Sequence, residues 1–303
     1  MIIVVGSINM DISLRVQAIP KPGETVLAGS VCHTPGGKGA NQAVAAAKMG
    51  AEVVMLGCVG NDALGIKVLD SLRKANVATN EIIKKKGTTS TAYICVSDKG
   101  ENAIVVDSVT NFSLRPEHLY AREELFRQAQ YCVLQMEIPT DTVEAAMNLC
   151  RKHRVHTIVN PSPASRFAPE QFYDIDYLVP NEYEIETLLN KCWSQITDMD
   201  LQQFMQRYLI KNMVITLGER GCVYLKDEGE RVICPISAKQ AIDTTGAGDT
   251  FLGVMAACLD EGATLIEAVR HGNAASGLEV MRQGTQEAMP TREEVEKELV
   301  NYR

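Results

Sequence analysis

The residues richest in chemical possibility lie in one stretch, Asp243-Thr244-Thr245-Gly246-Ala247-Gly248-Asp249-Thr250-Phe251. Small residues here precede an apolar run with helical character that begins near Asp249. Glycines at a helix start let unpaired backbone N–H groups converge on an anion, and the helix dipole adds to the attraction. Asp249 falls in the first turn of that helix, beside the place a phosphoryl group would take. A carboxylate there would repel the phosphate, so it reads as a base that accepts the proton of an attacking hydroxyl. A plain Asp cap on a glycine-rich turn would leave the same pattern.

A second segment, Gly36-Gly37-Lys38-Gly39-Ala40-Asn41-Gln42, also opens a small-residue helix. It is neither a Walker A loop, since Gly39 follows the lysine where Ser or Thr is required, nor a dinucleotide G-x-G-x-x-G. Its glycines allow backbone to approach a ligand closely, and Asn41 can both donate and accept toward a polyol. A tight turn without a ligand is the plainer alternative. A third segment, Gly6-Ser7-Ile8-Asn9-Met10-Asp11, follows the first apolar run. In an extended chain it sets Asn9 and Asp11 on one face.

These segments need a frame to bring them together. Val- and Ile-rich runs at 2–6, 53–59, 132–136, 157–160, 177–180, 213–217 and 222–225 read as strands. Helical stretches fall at about 39–50, 62–75, 117–129, 141–153, 182–191 and 199–210, and the pattern is helical from Gly248 to about Gly277. Asp141-Thr142-Val143-Glu144 and Thr291-Arg292-Glu293-Glu294 have the spacing of capping boxes. Alternation of this kind implies an α/β fold, a doubly wound and mostly parallel sheet flanked by helices. Residues 12–35, with three prolines and no helical period, and 88–108, with a turn at 98–102, break the rhythm. They are expected to form a small β-sheet lid over the strand C-terminal ends, where α/β proteins bind ligands. Residues 1–303 then make a single domain with that lid.

Composition narrows the function. Thirty basic and 38 acidic residues give a formal charge of −8, with no basic block beyond Lys84-Lys85-Lys86, so nucleic acid and anionic membrane are poor partners. No apolar run approaches the ~20 residues of a membrane helix. Met1 to Gly6 lacks a basic n-region and reads as a strand rather than a signal peptide. The nine cysteines contain no C-x-x-C and read as buried thiols in a reducing cytoplasm. The histidines show no metal spacing, and His153 and His156 are placed at a basic helix end.

On its motifs the chain resembles the ribokinase-like (PfkB) carbohydrate kinase family along its whole length. The segments 36–42 and 243–251 resemble the family's two signatures, Asn181-Glu182-Tyr183-Glu184 its N-x-x-E, and Ile215-Thr216-Leu217-Gly218-Glu219-Arg220-Gly221 its nucleotide-side loop. The resemblance implies ATP-dependent phosphorylation of D-ribose at the 5-hydroxyl, with Asp249 as base and the amides of Gly246, Ala247 and Gly248 as anion hole. It assigns Asn9, Asp11, Gly37, Lys38, Asn41 and Glu137 to the sugar, where an unmatched buried acceptor would cost about 1–3 kcal/mol against a deoxy analogue. Asn181, Thr216, Gly218, Gly221, Gly248 and Asn273 fall to the nucleotide, and Glu184 to Mg²⁺. Asp243, with carbonyls of Thr245, Glu279, Arg282 and Gly284, is assigned to an activating K⁺. Two positions depart from the family: Ala288 replaces a common serine, and Val109-Thr110-Asn111 replaces Gly-Ala-Asn. The resemblance further implies a cytoplasmic homodimer joined through the lids. Alternatives are another acceptor (deoxyribose, a ketohexose, a nucleoside) or an inactive sugar sensor. An NAD-dependent oxidoreductase conflicts with the missing G-x-G-x-x-G.

Overall fold

The computed structural model describes residues 1–225, 231–234 and 240–300. Its strands, in chain order, are β1 (Ile2–Val5), β2 (Asn9–Val16), β3 (Ala28–Gly36), β4 (Val53–Leu56), β5 (Cys58–Gly60), β6 (Ile83–Lys85), β7 (Thr91–Ser97), β8 (Asn102–Asp107), β9 (Tyr131–Leu134), β10 (His156–Val159), β11 (Ile175–Leu178), β12 (Ile210–Thr216), β13 (Cys222–Leu225) and β14 (Arg231–Cys234). The helices are α1 (Lys38–Lys48), α2 (Ala63–Lys74), α3 (Pro116–Tyr120), α4 (Glu123–Gln128), α5 (Thr140–His153), α6 (Glu182–Leu189), α7 (Asp198–Arg207), α8 (Ala247–Asp260), α9 (Leu265–Glu279) and α10 (Arg292–Val300).

Eight strands form the main sheet in the order β14-β13-β12-β11-β10-β9-β1-β4. The pairs from β4 to β12 are parallel, and β13 and β14 add antiparallel to one edge. Strands β1, β4 and β9 are buried and apolar on both faces, as a sheet covered on both sides requires. In β1, Ile2 and Val4 face a core completed by α1, α2, α8, α9 and α10. Ile3 and Val5 face the opposite core, completed by α3 to α7. The expected doubly wound α/β architecture is therefore what the chain adopts.

The four-stranded small sheet, ordered β3-β2-β7-β8, joins the segments 12–35 and 88–108. β2 starts at Asn9, three residues past the end of β1, so the small sheet springs from the C-terminal end of a parallel strand. Strand β8 is exposed from Asn102 through Val106 rather than on alternate residues, because no described residue covers either face of this edge strand.

Several boundaries differ from the sequence expectation, for local reasons. The run at 53–59 breaks at Gly57, where a Cβ would lie 2.8 Å from Ile8 Cδ1, and its second half pairs with β6 in a separate two-stranded sheet. The helix at 117–129 is two helices, and the C-terminal helical stretch divides at Gly262, whose φ is 89°. The capping box at Asp141 does not form: α5 starts earlier, with Pro139 as its N-cap, leaving Asp141 inside the first turn. The box at Thr291 does form, with Thr291 N donating to Glu294 Oε2 at 2.8 Å. His153 ends α5 as expected and meets Glu123, but His156 opens β10 and bonds Asp176 at 3.2 Å. Cys32 and Cys192 are exposed, contrary to the buried reading, while six of the other thiols are buried.

Candidate functional site

The chemical residues gather past the C-terminal ends of the parallel strands, where an open α/β sheet leaves a crevice. Ser7 and Asn9 follow β1, Gln135 and Glu137 follow β9, Asn160 follows β10, and Asn181 follows β11. Facing them are the starts of α1 and α8, each reached through a glycine with positive φ: Gly37 at 90° and Gly246 at 90°. Both positions are also tight. A Cβ on Gly37 would lie 2.7 Å from Asn9 N, and one on Gly246 would lie 2.5 Å from Thr285 Cγ2.

Asp249 stands in the first turn of α8 and is 8% exposed. Asn41 Nδ2 donates to its Oδ2 at 3.0 Å, and Gln42 Nε2 donates to its Oδ1 at 2.9 Å. The start of α1 thus grips the carboxylate at the start of α8, across 207 residues of chain. The Ala247 amide donates to Thr244 O at 3.3 Å, whereas the amides of Gly246, Gly248 and Asp249 have no partner among the described residues. A cavity of about 170 Å³ opens there, lined by Lys38, Asn160, Asn181, Glu184, Thr216, Gly246, Gly248 and Asp249 among others. A larger cleft, about 440 Å³, opens beside α1 and α2 around Lys48 and Gln286 and contains none of the sequence-designated residues. Volume alone does not mark the site.

On the nucleotide side, Asn181 and Glu184 form a capping box at the start of α6. Asn181 N donates to Glu184 Oε2 and Glu184 N donates to Asn181 Oδ1, both at 2.8 Å. The N-x-x-E spacing therefore has a structural role of its own. Asn160 Nδ2 also reaches Glu184 Oε2, at 3.3 Å. Thr216 bridges to Asn181 through backbone, and the turn after it uses Gly218 and Gly221, both with positive φ. Asn273 is buried with its amide on Cys222 Sγ at 3.4 Å and Cys234 O at 2.8 Å, behind that turn.

On the small-sheet side, Asn9 accepts from Asn111 Nδ2 at 2.7 Å, so the Val109-Thr110-Asn111 segment braces it. Glu137 accepts from Ser7 Oγ at 2.5 Å and from the Lys38 amide at 3.5 Å. Asp11, half-buried on β2, makes no side-chain hydrogen bond among the described residues, and Gly36 leaves room for it: a Cβ there would lie 2.1 Å from Asp11 Oδ2. Burial, then the carboxylates of Glu137 and Asp249, push the Asp11 carboxyl up to about 7. Burial pulls the Lys38 ammonium down, but Asp249, Glu137 and Glu184 outweigh it and raise it overall.

Behind the α8 start, Asp243 Oδ1 accepts from Thr245 N at 3.0 Å and its Oδ2 from Gly284 N at 3.2 Å. The Glu279 carbonyl already accepts from Arg282 N at 2.8 Å. The Glu279 side chain is fully buried under Gly246, and neither carboxylate oxygen has a hydrogen-bond partner among the described residues. Burial raises this carboxyl to about 8. Ala288 is buried and offers no hydroxyl. Among the described residues no cluster of three or more His, Cys, Asp or Glu is placed to hold a metal.

The structure thus brings Asn9, Asp11, Lys38, Asn41, Glu137, Asn181, Glu184 and Asp249 to one crevice. Asp243 and Glu279 lie behind it, and Asn273 behind the 216–221 turn. Sequence reasoning assigned no role to Gln42, Gln135 or Gln286, which hold the central carboxylate and its partners. Gln42 sat in a designated motif; the other two carried no local signal.

A family model for pfkB family carbohydrate kinases matches residues 1–292. The chain is 38% identical to ribokinase of Bacillus subtilis over 98% of its own length and 99% of that protein. Its fold superposes on that of ribokinase from Thermotoga maritima with a TM-score of 0.90 at 35% identity, covering 99% of each chain. It superposes on Arabidopsis thaliana ribokinase, solved with ribose and ATP, with a TM-score of 0.89 at 29% identity and 98% of each chain.

Proposed function

Because the chain belongs to the pfkB family of carbohydrate kinases, we propose that it transfers the γ-phosphoryl group of ATP to the 5-hydroxyl of D-ribose. The observation that carries the reading is Asp249: a buried carboxylate fixed by two amides beside three unpartnered backbone N–H groups at a helix start. Relatives named ribokinase match end to end, and one related structure holds both ribose and ATP.

Asn9, Asp11, Gly37, Lys38, Asn41 and Glu137 hold the sugar, with the 5-hydroxyl toward Asp249. The free amides of the α8 start, Gly246 and Gly248 with Asp249 in place of Ala247, receive the transferring phosphoryl, whose charge they stabilise in the transition state. Asp249 takes the hydroxyl proton late in the transfer, which asks only for a weak base. Lys38 lines the cavity, and against the pull of burial its ammonium is held charged by Asp249, Glu137 and Glu184. Asn181, Thr216, Gly218, Gly221 and Asn273 form the nucleotide side.

Glu184, beside Asn160 and Asn181 in the cavity that Asp249 also lines, suits a Mg²⁺ that keeps several waters. Bound there, the ion would neutralise charge on the nucleotide phosphates. The segment before α8 with Asp243 and Thr245 and the one after α9 with Arg282 and Gly284, joined by Gly284 N donating to Asp243 Oδ2, suit K⁺. The buried Glu279 side chain beside them has no hydrogen-bond partner among the described residues. Turnover should exceed that in choline buffer when K⁺ is added; equal rates would remove this part of the reading.

Residues 1–303 act as one domain whose small sheet serves as a lid. Leu27, just before β3, and Val31, Tyr93, Ile104, Val105 and Val106 on the sheet are exposed, which favours a homodimer clasped through the lids. The cytoplasm is the compartment that supplies ATP and reduced thiols, and no described helix is long and apolar enough to cross a membrane. A panel of pentoses and hexoses in an ADP-release assay tests the function. Ribose should give the highest kcat/KM, and no turnover with any pentose would refute it.

A further inference from the structure

The grip on Asp249 has a second layer. Gln135 Nε2 donates to Gln42 Oε1 at 2.6 Å, and Gln42 Nε2 donates to Asp249 Oδ1 at 2.9 Å. Gln135 is fully buried and Gln42 is 1% exposed. With its carbonyl claimed by Gln135, the Gln42 amide has one orientation left, N–H₂ toward the carboxylate. The reverse orientation would set two acceptors against each other. Gln135 itself fits only because residue 6 is glycine: a Cβ there would lie 1.9 Å from Gln135 Oε1. That oxygen has no partner among the described residues, so the arrangement leaves a buried acceptor unsatisfied to present an N–H₂ to Gln42. Packing alone would be served by apolar side chains of the same size.

We propose that Gln42, oriented by Gln135, is the positioning residue of the catalytic base. Asn41 holds Oδ2 and Gln42 holds Oδ1, and one donor on each oxygen fixes the plane of the carboxylate, leaving a second lone pair of Oδ2 toward the cleft. Gln286 Nε2, donating to Asn41 Oδ1 at 3.0 Å, orients the other amide in the same manner. Without Gln42 the carboxylate rotates about its Cβ–Cγ bond, and its ionised form loses one of two charge-assisted bonds. The inference rests on Asp249 being the base, and the test separates the two ideas.

Gln42→Leu, Gln135→Leu, Asp249→Asn and the double variant Gln42→Leu/Asp249→Asn are assayed with ribose and ATP from acid to alkaline pH. Binding of a non-hydrolysable ATP analogue serves as the check on folding. Gln42→Leu should lower kcat by about 10- to 100-fold with KM values changed by less than about threefold. The acid limb of its kcat profile should move up by about one pH unit, which loss of packing alone would not do. Gln135→Leu should move both quantities the same way by less, and the double variant should be no slower than Asp249→Asn. An unmoved profile with kcat within about twofold of the parent overturns the proposal, as does a Gln42→Leu loss repeated in full on the Asp249→Asn background. Near-parental turnover by Asp249→Asn overturns the base assignment and this role with it. If Gln42→Leu fails the analogue check, Gln135→Leu, which leaves α1 untouched, decides by the same criteria.

Discussion

Two carboxylates face the same crevice under opposite conditions. Asp249, on the main body, has an amide donor on each oxygen before any ligand arrives. Asp11, on the small sheet, has none among the described residues, and burial beside Glu137 and Asp249 pushes its carboxyl up to about 7. The difference separates two tasks. The helix-start side is built in advance, so its geometry costs nothing at the moment of transfer. The small-sheet side is left incomplete, and on the proposed reading sugar hydroxyls would supply the donors that Asp11 lacks.

The most severe way to break this division is Asp249→Asn. It should cut kcat by at least about a thousandfold, the upper range for a lost general base, while calorimetry still shows ribose and ATP binding. A loss of less than about tenfold in kcat, ~1.4 kcal/mol, would place the base elsewhere.

Gly36→Ala strikes the other region alone. Its Cβ would lie within 2.1 to 2.7 Å of the Asp11 carboxyl group, which must move. The KM for ribose should rise by about 10- to 100-fold with the KM for ATP little changed; parallel rises in both would show that the two regions are not separable.

A smaller effect sharpens the contrast through pH. Asp11 binds its proton more tightly in the folded protein than at its ordinary value of 3.8, so its contribution to stability is complete below that pH and is lost as pH rises through about 7. A rise from 3.8 to about 7 corresponds to at most about 4 kcal/mol, and solvent screening at a site that is not fully buried lowers it. Denaturant unfolding without sugar should show that decline, and Asp11→Asn should reduce it to the part that the buried Glu279 carboxyl, raised to about 8, contributes over the same range. Saturating ribose should shrink it too, because hydroxyl donors favour the ionised form.

The smallest effect on catalysis concerns the exposed face. If the proposed lid-clasped dimer forms, Ile104→Glu on β8 should convert it to monomer in light scattering while leaving kcat within about threefold. A parent that already scatters as a monomer would remove the clasp from the account.

How much of this was readable beforehand follows from distance along the chain. The α8 start was legible because the glycines, the aspartate and the apolar helix are contiguous, and the same holds for Asn181 and Glu184, three residues apart. The small sheet was legible from prolines, a turn and β-rich runs. The clamp was not: Gln42 meets Gln135 across 93 residues and Gln286 meets Asn41 across 245, and a glutamine carries no local mark of its partner. The break at Gly57 was equally hidden, since the approach of Ile8 and of the Gly6 carbonyl from another segment demands it.

The central claim concerns which hydroxyl is brought to Asp249, and product analysis addresses it most directly. Ribose and ATP incubated with the protein and Mg²⁺ should yield a phosphate whose phosphorus couples to the two protons on C5 in NMR. Phosphate on any other carbon, or ADP formed without a sugar phosphate, would contradict the account.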